Sequence, residues 1–341
     1  MIVEYVPPRF QLTFANLQAL DRQLNPQKLM ATNVLVLGAG ELGLAVLEAL
    51  ARHPKRNHCS ITVALRQATL DSAAPDKKRL IQQIRALDVR FEAADVEQAS
   101  ASELAAIFAR YDTVVSCTGM GLPAGTQTKL ARAALEANAD ARVRYLPWQF
   151  GMDYDAIGAG SSQDLFDEQL GVRAMLRQQD AADWTIVSTG LFMSFLFVPD
   201  FGVVDLAART VRGLGSWDTR ITLTTPEDIG RATAEVVLDP RGIRNQCVYV
   251  AGDTLSYAQV GDLLDGRFGT RFRRELWDAD ELARQMREQP DSAMVKYRDT
   301  FAQGRGVAWG QEKTLNRARG MQMTDVKAYL EAMDASVIMD E

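Results

Sequence analysis

Short apolar runs alternate with longer amphipathic stretches along most of the chain from residue 33 onwards. The run NVLVL (33–37) has the length of a strand, and ELGLAVLEALARH (41–53) repeats apolar residues at helical spacing. The same alternation predicts further strands at 61–65, 89–95, 113–119, 143–151, 184–189 and 246–252. It predicts further helices at 77–87, 101–111, 128–138, 162–179 and 226–238. Apolar strands separated by helices are typical of a sheet that helices cover on both faces, so we predict an α/β fold with a doubly wound parallel sheet.

Composition limits the chemistry that this fold can carry. The 341 residues include two histidines and three cysteines: His53, His58, Cys59, Cys117 and Cys247. Metal centres need three or four such ligands together, so we predict no metal site. The odd, scattered cysteine count argues against disulfide bonds and fits a reducing cytoplasm. Both histidines stand in the polar stretch ARHPKRNHC (51–59), where we expect them to face solvent.

Charge and hydropathy narrow the range of partners. The net charge is −6 and the basic clusters, at 77–79 and 271–274, are short, so we predict no nucleic-acid partner. The longest apolar stretch, around residues 190–198, is far shorter than the ~20 residues of a membrane span. The N-terminal residues also lack a signal-peptide pattern. We therefore expect a cytoplasmic protein that does not bind membranes.

A glycine-rich turn follows the first predicted strand. The hexapeptide GAGELG (38–43) fits G-x-G-x-x-G, with Gly38, Gly40 and Gly43 at the glycine positions and Glu41 and Leu42 between them. In a strand–turn–helix context these glycines permit the tight turn, the approach of a pyrophosphate and close contact between helix and strand. The helix N-terminus then offers free N–H groups to the phosphates. This context favours dinucleotide binding on a Rossmann-type sheet; the alternative is a plain βα turn.

The end of the second predicted strand indicates which dinucleotide would bind. Sites that prefer NAD usually place a carboxylate there, to accept a hydrogen bond from the ribose 2′-hydroxyl. The stretch ITVALRQAT (61–69) contains no acid and places Arg66 23 positions after Gly43. A guanidinium suits a 2′-phosphate in charge and shape, so we predict NADPH/NADP as the cofactor. The alternative is a solvated arginine at a strand end.

Several segments together resemble a known family. They are VLVLGAGELG (34–43), VALRQAT (63–69), TVVSCTGMGLPAGTQTKLARAALEA (113–137), LPWQFGMDYD (146–155) and TPEDIGRATAEVVLDP (225–240). Their order and spacing resemble the NmrA-like and isoflavone-reductase-like group of atypical short-chain dehydrogenases. That group includes phenylcoumaran benzylic ether reductases and also non-catalytic NADP-binding sensors. The resemblance, over roughly residues 33–265, implies an NADPH-binding domain with a cleft roofed by a C-terminal domain.

The resemblance also implies roles for individual residues. Gly38, Gly40 and Gly43 match the family's phosphate loop, and Arg66 matches its 2′-phosphate arginine. The remaining cofactor-binding positions that it implies are Cys117, Thr118 and Gly119 at a strand end and Gln149 and Phe150 beside the nicotinamide. For Cys117 we expect packing against the nucleotide rather than nucleophilic attack.

The catalytic position departs from the family pattern. The family's reductases carry a lysine as general acid/base in an F-x-x-K pattern, and the matching stretch DLFDEQLGVR (164–173) has Gln169 there. An amide does not exchange protons usefully near neutral pH, and the chain has no Tyr-x-x-x-Lys spacing either. Gln169 lies on an apolar helix face, so its partner is either the backbone or a bound substrate or nicotinamide. A reductase would need another proton donor, and the candidates are Tyr154, water and the nearby acids Asp155, Asp164, Asp167 and Glu168. For the helix acids the alternative is a solvated N-terminal turn.

An aromatic, methionine-containing segment follows the sixth predicted strand, at GLFMSFLFVPDFG (190–202). Such side chains suit a flat apolar ligand. We predict that Phe192, Met193, Phe195 and Trp148 contact the substrate; the alternative is that they form core between domains.

These patterns predict four segments and two functions. The segments are an N-terminal extension (1–30), an NADP-binding Rossmann domain (31–160), a mixed segment that completes the sheet and lines the cleft (161–252), and a smaller, mainly helical substrate domain (253–341). The first hypothesis is an NADPH-dependent oxidoreductase acting on an aromatic or apolar small molecule. The second is an NADP(H)-binding sensor without turnover, which Gln169 favours. The extension is expected to form either a homodimer contact or a lid.

Overall fold

The computed structural model describes residues 32–119, 121–137, 143–162 and 164–333. The predicted extension, residues 1–30, lies outside these ranges. The strands are β1 (Thr32–Leu37), β2 (Cys59–Leu65), β3 (Arg90–Ala93), β4 (Thr113–Ser116), β5 (Arg144–Leu146), β6 (Asp183–Ser188), β7 (Leu191–Phe192), β8 (Val204–Asp205), β9 (Thr210–Leu214), β10 (Arg220–Thr224), β11 (Gln246–Tyr249), β12 (Asp253–Ser256) and β13 (Arg273–Trp277).

The helices follow the same order along the chain. They are α1 (Glu41–Arg52), α2 (Gln67–Leu70), α3 (Pro75–Ala86), α4 (Ala101–Phe108), α5 (Thr126–Ala137), α6 (Tyr154–Ile157), α7 (Leu165–Arg177), α8 (Pro226–Leu238), α9 (Tyr257–Phe268), α10 (Ala279–Glu288), α11 (Ala293–Ala302), α12 (Leu315–Arg319) and α13 (Val326–Ala332). In the described ranges, none of these helices is both long enough and apolar enough to cross a membrane.

Seven strands form one parallel sheet in the order β11-β6-β5-β4-β1-β2-β3. Read from its other edge, the sheet has the strand order of doubly wound dinucleotide-binding folds, which confirms the predicted Rossmann-type class. The direction of chain progression reverses between β1 and β4. In such sheets the loops that leave the two strands at this point diverge and open a crevice at their carboxyl ends.

Helices cover both faces of the sheet, as the apolar strands predict. On one face α1 and α8 bury an aliphatic layer that includes Val46, Leu50 and Ile229. Gly230 of α8 lets the two helices approach closely, because a Cβ atom there would lie 2.4 Å from the carbonyl oxygen of Ala45. The other face is covered by α4, α5 and α7.

Several strands, among them β3, β4, β5 and β11, end earlier than their apolar runs predict, and β4 and β5 lead into the predicted site. The expected strand 113–119 stops at Ser116, and the expected strand 143–151 covers only Arg144–Leu146. Pro147 follows β5 and has no N–H to continue the ladder. The apolar character continues because Cys117 and Phe150 are buried without belonging to a strand. The predicted site residues 117–119 and 148–150 therefore lie in loops at the carboxyl edge of the sheet.

A second body packs beside this sheet. It contains the small sheets β12-β10-β7 and β13-β9-β8 together with α9, α10, α11 and α13. Its core includes Met152, Tyr154, Ile157 and Phe166, which come from loops and helices that follow the large sheet's strand β5. The two bodies therefore share side chains across their junction.

Candidate functional site

The loops after β1 and β4 begin in contact where the strand order reverses, and then lead to α1 and α5 on opposite faces of the sheet. Gly38 has φ +88°, and its N–H donates to the carbonyl oxygen of Ala64 at 3.1 Å. A Cβ atom at Gly38 would lie 3.2 Å from the Thr118 Cβ atom. The Cys117 N–H donates to the Leu37 carbonyl oxygen at 3.0 Å. The predicted glycine turn and the predicted strand end 117–119 are thus brought together.

The amino end of α1 is shaped for an anion. Gly40 is its N-cap and supplies no side-chain cap. A Cβ atom at Gly40 would meet nothing within 4 Å, whereas one at Gly43 would lie 2.2 Å from the Gly38 carbonyl oxygen. Gly43 therefore allows α1 to pack closely against the end of β1. Gly40 leaves space for a ligand to approach the amino end of α1. The first-turn N–H groups and the helix dipole favour negative charge at this place. Glu41 is exposed beside it, and Leu42 is buried in the core.

Arg66 lies in the wall of a cavity of about 600 Å³ at the carboxyl end of β2. The same cavity is lined by Gln67, Ala68, Thr69, Ser72, Lys77, Ala93, Ala94 and Asp95. Asp95 uses one carboxylate oxygen to accept the N–H groups of Glu97 and Gln98. Arg66 is exposed, so its guanidinium is accessible from the cavity side. Two cations and two hydroxyl groups suit a phosphate.

Trp148 lies flat against the backbone of Gly119. A Cβ atom at Gly119 would lie 1.9 Å from the Trp148 ring, so a larger residue would displace the indole. The amide Nε2 of Gln127 donates to the Thr118 carbonyl oxygen at 3.1 Å and holds the same loop. Burial raises the pKa of the Cys117 thiol well above its usual range. The thiol therefore stays protonated, which agrees with a packing role.

Gln149 is fixed at both ends of its amide. Its Oε1 accepts from Arg173 Nε at 2.6 Å, and its Nε2 donates to the backbone carbonyl of Gln169 at 2.9 Å. Because one partner is a donor and the other an acceptor, the amide orientation is determined. Gln149 therefore connects the loop after β5 to helix α7.

Arg173 is a buried cation at the centre of this connection. Its Nη1 atom donates to Asp155 at 2.7 Å and lies 3.6 Å from Asp153. Hydrogen bonds from Arg177 and the charge of Arg173 lower the pKa of Asp155 to about 2. The carboxylate stays ionised near neutral pH and balances the buried guanidinium, so it is not a proton donor there.

Gln169 is 3% exposed and lies on the buried face of α7. Its Oε1 accepts no hydrogen bond from any residue in the described part of the chain. No backbone N–H in the described ranges is therefore the partner of this oxygen, and a bound ligand as its partner stays a prediction. A buried amide oxygen without a donor is costly, so the position has a binding capacity that the fold itself does not use.

Tyr154 begins the short helix α6 and is buried in the second core. Its ring centroid lies 4.8 Å from that of Phe166 and 5.0 Å from the Arg173 guanidinium carbon. Burial, together with Tyr297, raises the pKa of Tyr154 above its usual range. The phenol therefore holds its proton firmly.

The solvated turn, the alternative for the three helix acids, holds for Asp164 and Asp167, which are exposed, whereas Glu168 is half-buried. Glu168 accepts the N–H groups of Gly125 and Thr128 at 3.0 and 2.9 Å and so caps the start of α5. Asp167 accepts from the N–H of Gly160 at 2.9 Å. Asp164 is exposed, as expected, and pairs with Lys296. The start of α7 therefore faces solvent, and Asp167 and Glu168 also accept hydrogen bonds from the N–H groups of neighbouring loops.

The aromatic wall, residues 192–197, runs along the junction of the two bodies. Phe192 and Phe195 are half-buried, and Trp148 is also half-buried. Phe195 packs against Phe201 and Tyr297 at centroid distances of 5.1 and 5.8 Å. Met193 is fully buried in the core of the second body, so in this conformation its side chain is not accessible to a ligand.

The solvated position expected for the histidines is wrong for His53. Its side chain is 8% exposed, and its Nε2 lies 3.3 Å from a carboxylate oxygen of Glu235 on α8. The close packing of α1 on α8 covers the imidazole. His58 is exposed, as expected. Within the described ranges no cluster of three histidine, cysteine or acidic side chains is arranged to hold a metal ion.

Sequence reasoning missed the functions of Arg173, Gln127 and Ser194. Arg173 had a readable signal, since a cation within an apolar helix stripe usually has a buried acidic partner. The bond from Gln127 to Thr118 joins two segments that sequence spacing does not connect. Ser194 Oγ donates to Glu41 Oε1 at 3.3 Å, across 153 positions of sequence. No local pattern indicates such a contact.

These features define the class of the protein. It has a Rossmann-type fold, with a glycine turn and a free helix terminus at the crevice where such folds bind dinucleotides.

Comparisons with known proteins then give the family. The sequence profile of the NmrA-like family matches residues 30–330. An NmrA-like family domain-containing oxidoreductase of Gibberella moniliformis is 57% identical over 302 residues, which cover 88% of this chain and 98% of that protein. The isoflavone reductase homolog IRL of Zea mays is 30% identical over 269 residues, covering 75% and 81%. The chain belongs to the NmrA-like family, which confirms the resemblance read from its motifs.

Solved structures share the architecture. An isoflavone reductase has a TM-score of 0.71 at 19% identity, covering 88% of this chain and 99% of that one. The structure of AtPrR2 with NADP+ and (+)pinoresinol has a TM-score of 0.69 at 17% identity, covering 88% and 98%. At these identities the likeness establishes a common fold.

Proposed function

We propose that this chain is an NADPH-dependent reductase of an aromatic or otherwise apolar small molecule. The observation that carries the proposal is the clear approach to the amino end of α1 at Gly40, which no side chain caps. The cavity at Arg66 supports the phosphorylated form of the cofactor. The oxidoreductase name of the Gibberella relative and the NADP+ in the AtPrR2 structure also support it.

Each part of the site has a task under this proposal. The first turn of α1 binds the diphosphate, and Arg66 binds the 2′-phosphate. Cys117, Thr118 and Gly119 pack beside the cofactor, while Gln149 and Phe150 hold the loop that flanks its nicotinamide. The bound cofactor supplies a hydride. The scattered cysteines suit a cytoplasmic enzyme, and a homodimer stays a prediction.

The proton is the unusual part of the mechanism. The family's lysine position is Gln169, whose free Oε1 is suited to accept a hydrogen bond from the ligand and not to donate a proton. Tyr154 is the nearest phenol in sequence, but its raised pKa makes it a slow donor near neutral pH. We therefore propose that Gln169 orients the substrate and that the proton comes from water or from Tyr154.

The aromatic wall supports the substrate class. Phe192, Phe195 and Trp148 are each partly exposed at the junction of the two bodies. Flat rings bind such surfaces through apolar contact and offset stacking. The (+)pinoresinol in the AtPrR2 structure is an aromatic ligand on the same fold.

The proposal is tested by following the loss of NADPH absorbance with a panel of phenolic ethers, enones and imines. We expect turnover with at least one aromatic acceptor. Gln169→Lys should raise the rate on acceptors that need a proton by about 100-fold, the low end of general acid catalysis. Gln178→Lys, at the exposed end of the same helix, is the matched control and should have no effect.

One observation favours a second function, an NADP(H)-binding sensor. Gln169 replaces the lysine, and the nearby acids Asp155, Asp167 and Glu168 are all engaged by other groups. A sensor would bind NADP+ and NADPH with different affinities and leave every acceptor unreduced. Calorimetric titration of both cofactors separates this outcome from the reductase.

A further inference from the structure

A hydrogen bond joins the phosphate loop to the aromatic wall. Glu41 is the first residue of α1 and directly follows Gly40. Ser194 lies in the 3-10 turn Met193–Phe197, and its Oγ donates to Glu41 Oε1 at 3.3 Å. The neighbours of Ser194 in sequence, Met193 and Phe195, belong to the wall. This hydrogen bond therefore links the first residue of α1 to the segment that forms the wall.

Helix α13 meets the same place from the second body. The ring of Tyr329 stacks on that of Phe197 with centroids 5.9 Å apart. Burial raises the pKa of Tyr329, and the negative charges of Glu41 and Glu227 raise it further. Tyr329 therefore lies within the electrostatic field of Glu41. The wall therefore contacts α13 through Phe197 and the start of α1 through Ser194.

The carboxylate of Glu41 and the phosphates of a dinucleotide would both be attracted to the positive amino end of α1. Without phosphate, the amino end of α1 stabilises the negative charge of a first-turn acid. A bound diphosphate would occupy the N–H groups at that end and repel a carboxylate beside it. Glu41 would then lose the helix N–H groups as alternative donors, so its existing hydrogen bond from the Ser194 hydroxyl would be strengthened.

We propose that Glu41 and Ser194 are positioning residues that couple binding of the dinucleotide phosphates to ordering of the aromatic wall. The apolar ligand then binds more tightly to the cofactor complex than to the free protein. This inference rests on the cofactor in the proposed function. By linkage, the ligand strengthens cofactor binding by the same factor.

The test measures binding and not turnover. The neutral fluorescent probe N-phenyl-1-naphthylamine is titrated into the full chain with and without saturating NADP+, and NADP+ is titrated alone by calorimetry. In the wild type we expect NADP+ to tighten probe binding by about fivefold, the low end of allosteric coupling. In Ser194→Ala this factor should fall to about one while the Kd for NADP+ alone changes by less than about threefold. Ser194→Thr keeps the hydroxyl and should restore the factor.

Glu41→Gln tests the electrostatic half of the inference. Removal of the like charge should tighten NADP+ binding by about two- to fivefold, since charges at a helix end contribute this much, and should weaken the coupling. Glu48→Gln removes a charge from the same helix away from its amino end and should behave as the wild type.

The inference is overturned if Ser194→Ala keeps the wild-type coupling factor or if Glu41→Gln changes neither the Kd for NADP+ nor the coupling factor. NADP+ that binds the wild type without changing the probe affinity contradicts the inference alone, whereas no NADP+ binding contradicts the proposed function and the inference with it.

Discussion

The exposed guanidinium of Arg66 is the group that should decide between the two nicotinamide dinucleotides. It faces a cavity that also contains Lys77, Thr69 and Ser72, so a 2′-phosphate would meet cations and hydroxyl groups there. The choice rests mainly on charge, because the stretch 61–69 offers no acid that would accept a ribose hydroxyl.

Arg66→Asp should invert the preference between cofactors. We expect NADPH affinity to fall by about 10- to 100-fold, the value of one or two charge-assisted hydrogen bonds, while NADH affinity is kept or improved. Arg90→Asp, on the neighbouring strand β3, is the control because Arg90 lines a different cavity. Fluorescence titration with both cofactors measures the ratio. An unchanged ratio in Arg66→Asp would show that another group reads the 2′-phosphate.

Asp155 gives the stability a dependence on acid pH. Its pKa of about 2 in the folded protein is below the value of about 3.9 in an unfolded chain. The depressed pKa means that the ionised carboxylate stabilises the fold above about pH 4, and that this stabilisation is lost as the pH falls toward about 2.

Asp155→Asn should therefore lower the free energy of unfolding by about 1 kcal/mol at neutral pH, since a partly exposed ion pair is screened by solvent. The difference from the wild type should shrink as the pH is lowered from about 4 toward 2. Urea unfolding at several pH values measures it. The exposed Asp291→Asn is the control. A difference that stays constant with pH would mean that the ion pair with Arg173 and Arg177 is not its source.

At the residue scale, the sequence indicated where polar side chains lie more readily than which groups they form hydrogen bonds with. Gln149 was expected beside the nicotinamide, and the structure adds that its amide is held by Arg173 and by the Gln169 backbone. Sequence shows that a polar residue lies on an apolar face, but the partner comes from another element. The engaged acids Asp167 and Glu168 illustrate the same limit.

Helices α1 and α8 pack backbone against backbone beside the candidate site. Gly230 lies where the helices cross, and a side chain there would contact the α1 backbone at Ala45. The crossing holds α1, whose amino end faces the crevice. Packing at this glycine therefore fixes the direction of the helix that we propose to bind the phosphates.

Gly230→Ala should destabilise the protein by about 1–3 kcal/mol, because the added methyl group must push two backbones apart. Gly171→Ala is the matched control, since Gly171 is also helical but a Cβ atom there meets nothing within 4 Å. That variant should be stabilised by about 0.4–1 kcal/mol through loss of unfolded-state entropy. Thermal unfolding measures both variants. Equal effects of the two substitutions would contradict the tight crossing.

Element types were predictable for the large sheet because its strands and helices follow clear periods. The ends of β4 and β5 were not, since Cys117 and Phe150 extend the apolar runs into buried loops. The second body was harder still. Its strands β7 and β8 have two residues each, too few to show an alternating pattern.

In the whole molecule, the two bodies are joined by a shared core instead of a linker. Phe166 from α7 packs edge-on against Tyr297 from α11, with centroids 5.9 Å apart. The Asp153 N–H donates to the Gly306 carbonyl oxygen at 2.8 Å. The four predicted segments stay a prediction, whereas contacts between positions more than a hundred residues apart follow only from the fold. The junction is the place where the aromatic wall and the glycine turn come together.

The surroundings of the three cysteines determine how readily their thiols react with oxidants. Burial raises the pKa of Cys59 to about 11 and raises the pKa of Cys117 and of Cys247 as well. Peroxide and alkylating reagents attack the thiolate and not the thiol. The three thiols of this chain are therefore poor targets for sulfenic acid formation. A protein proposed to catalyse hydride transfer thus has thiols that are themselves resistant to oxidation.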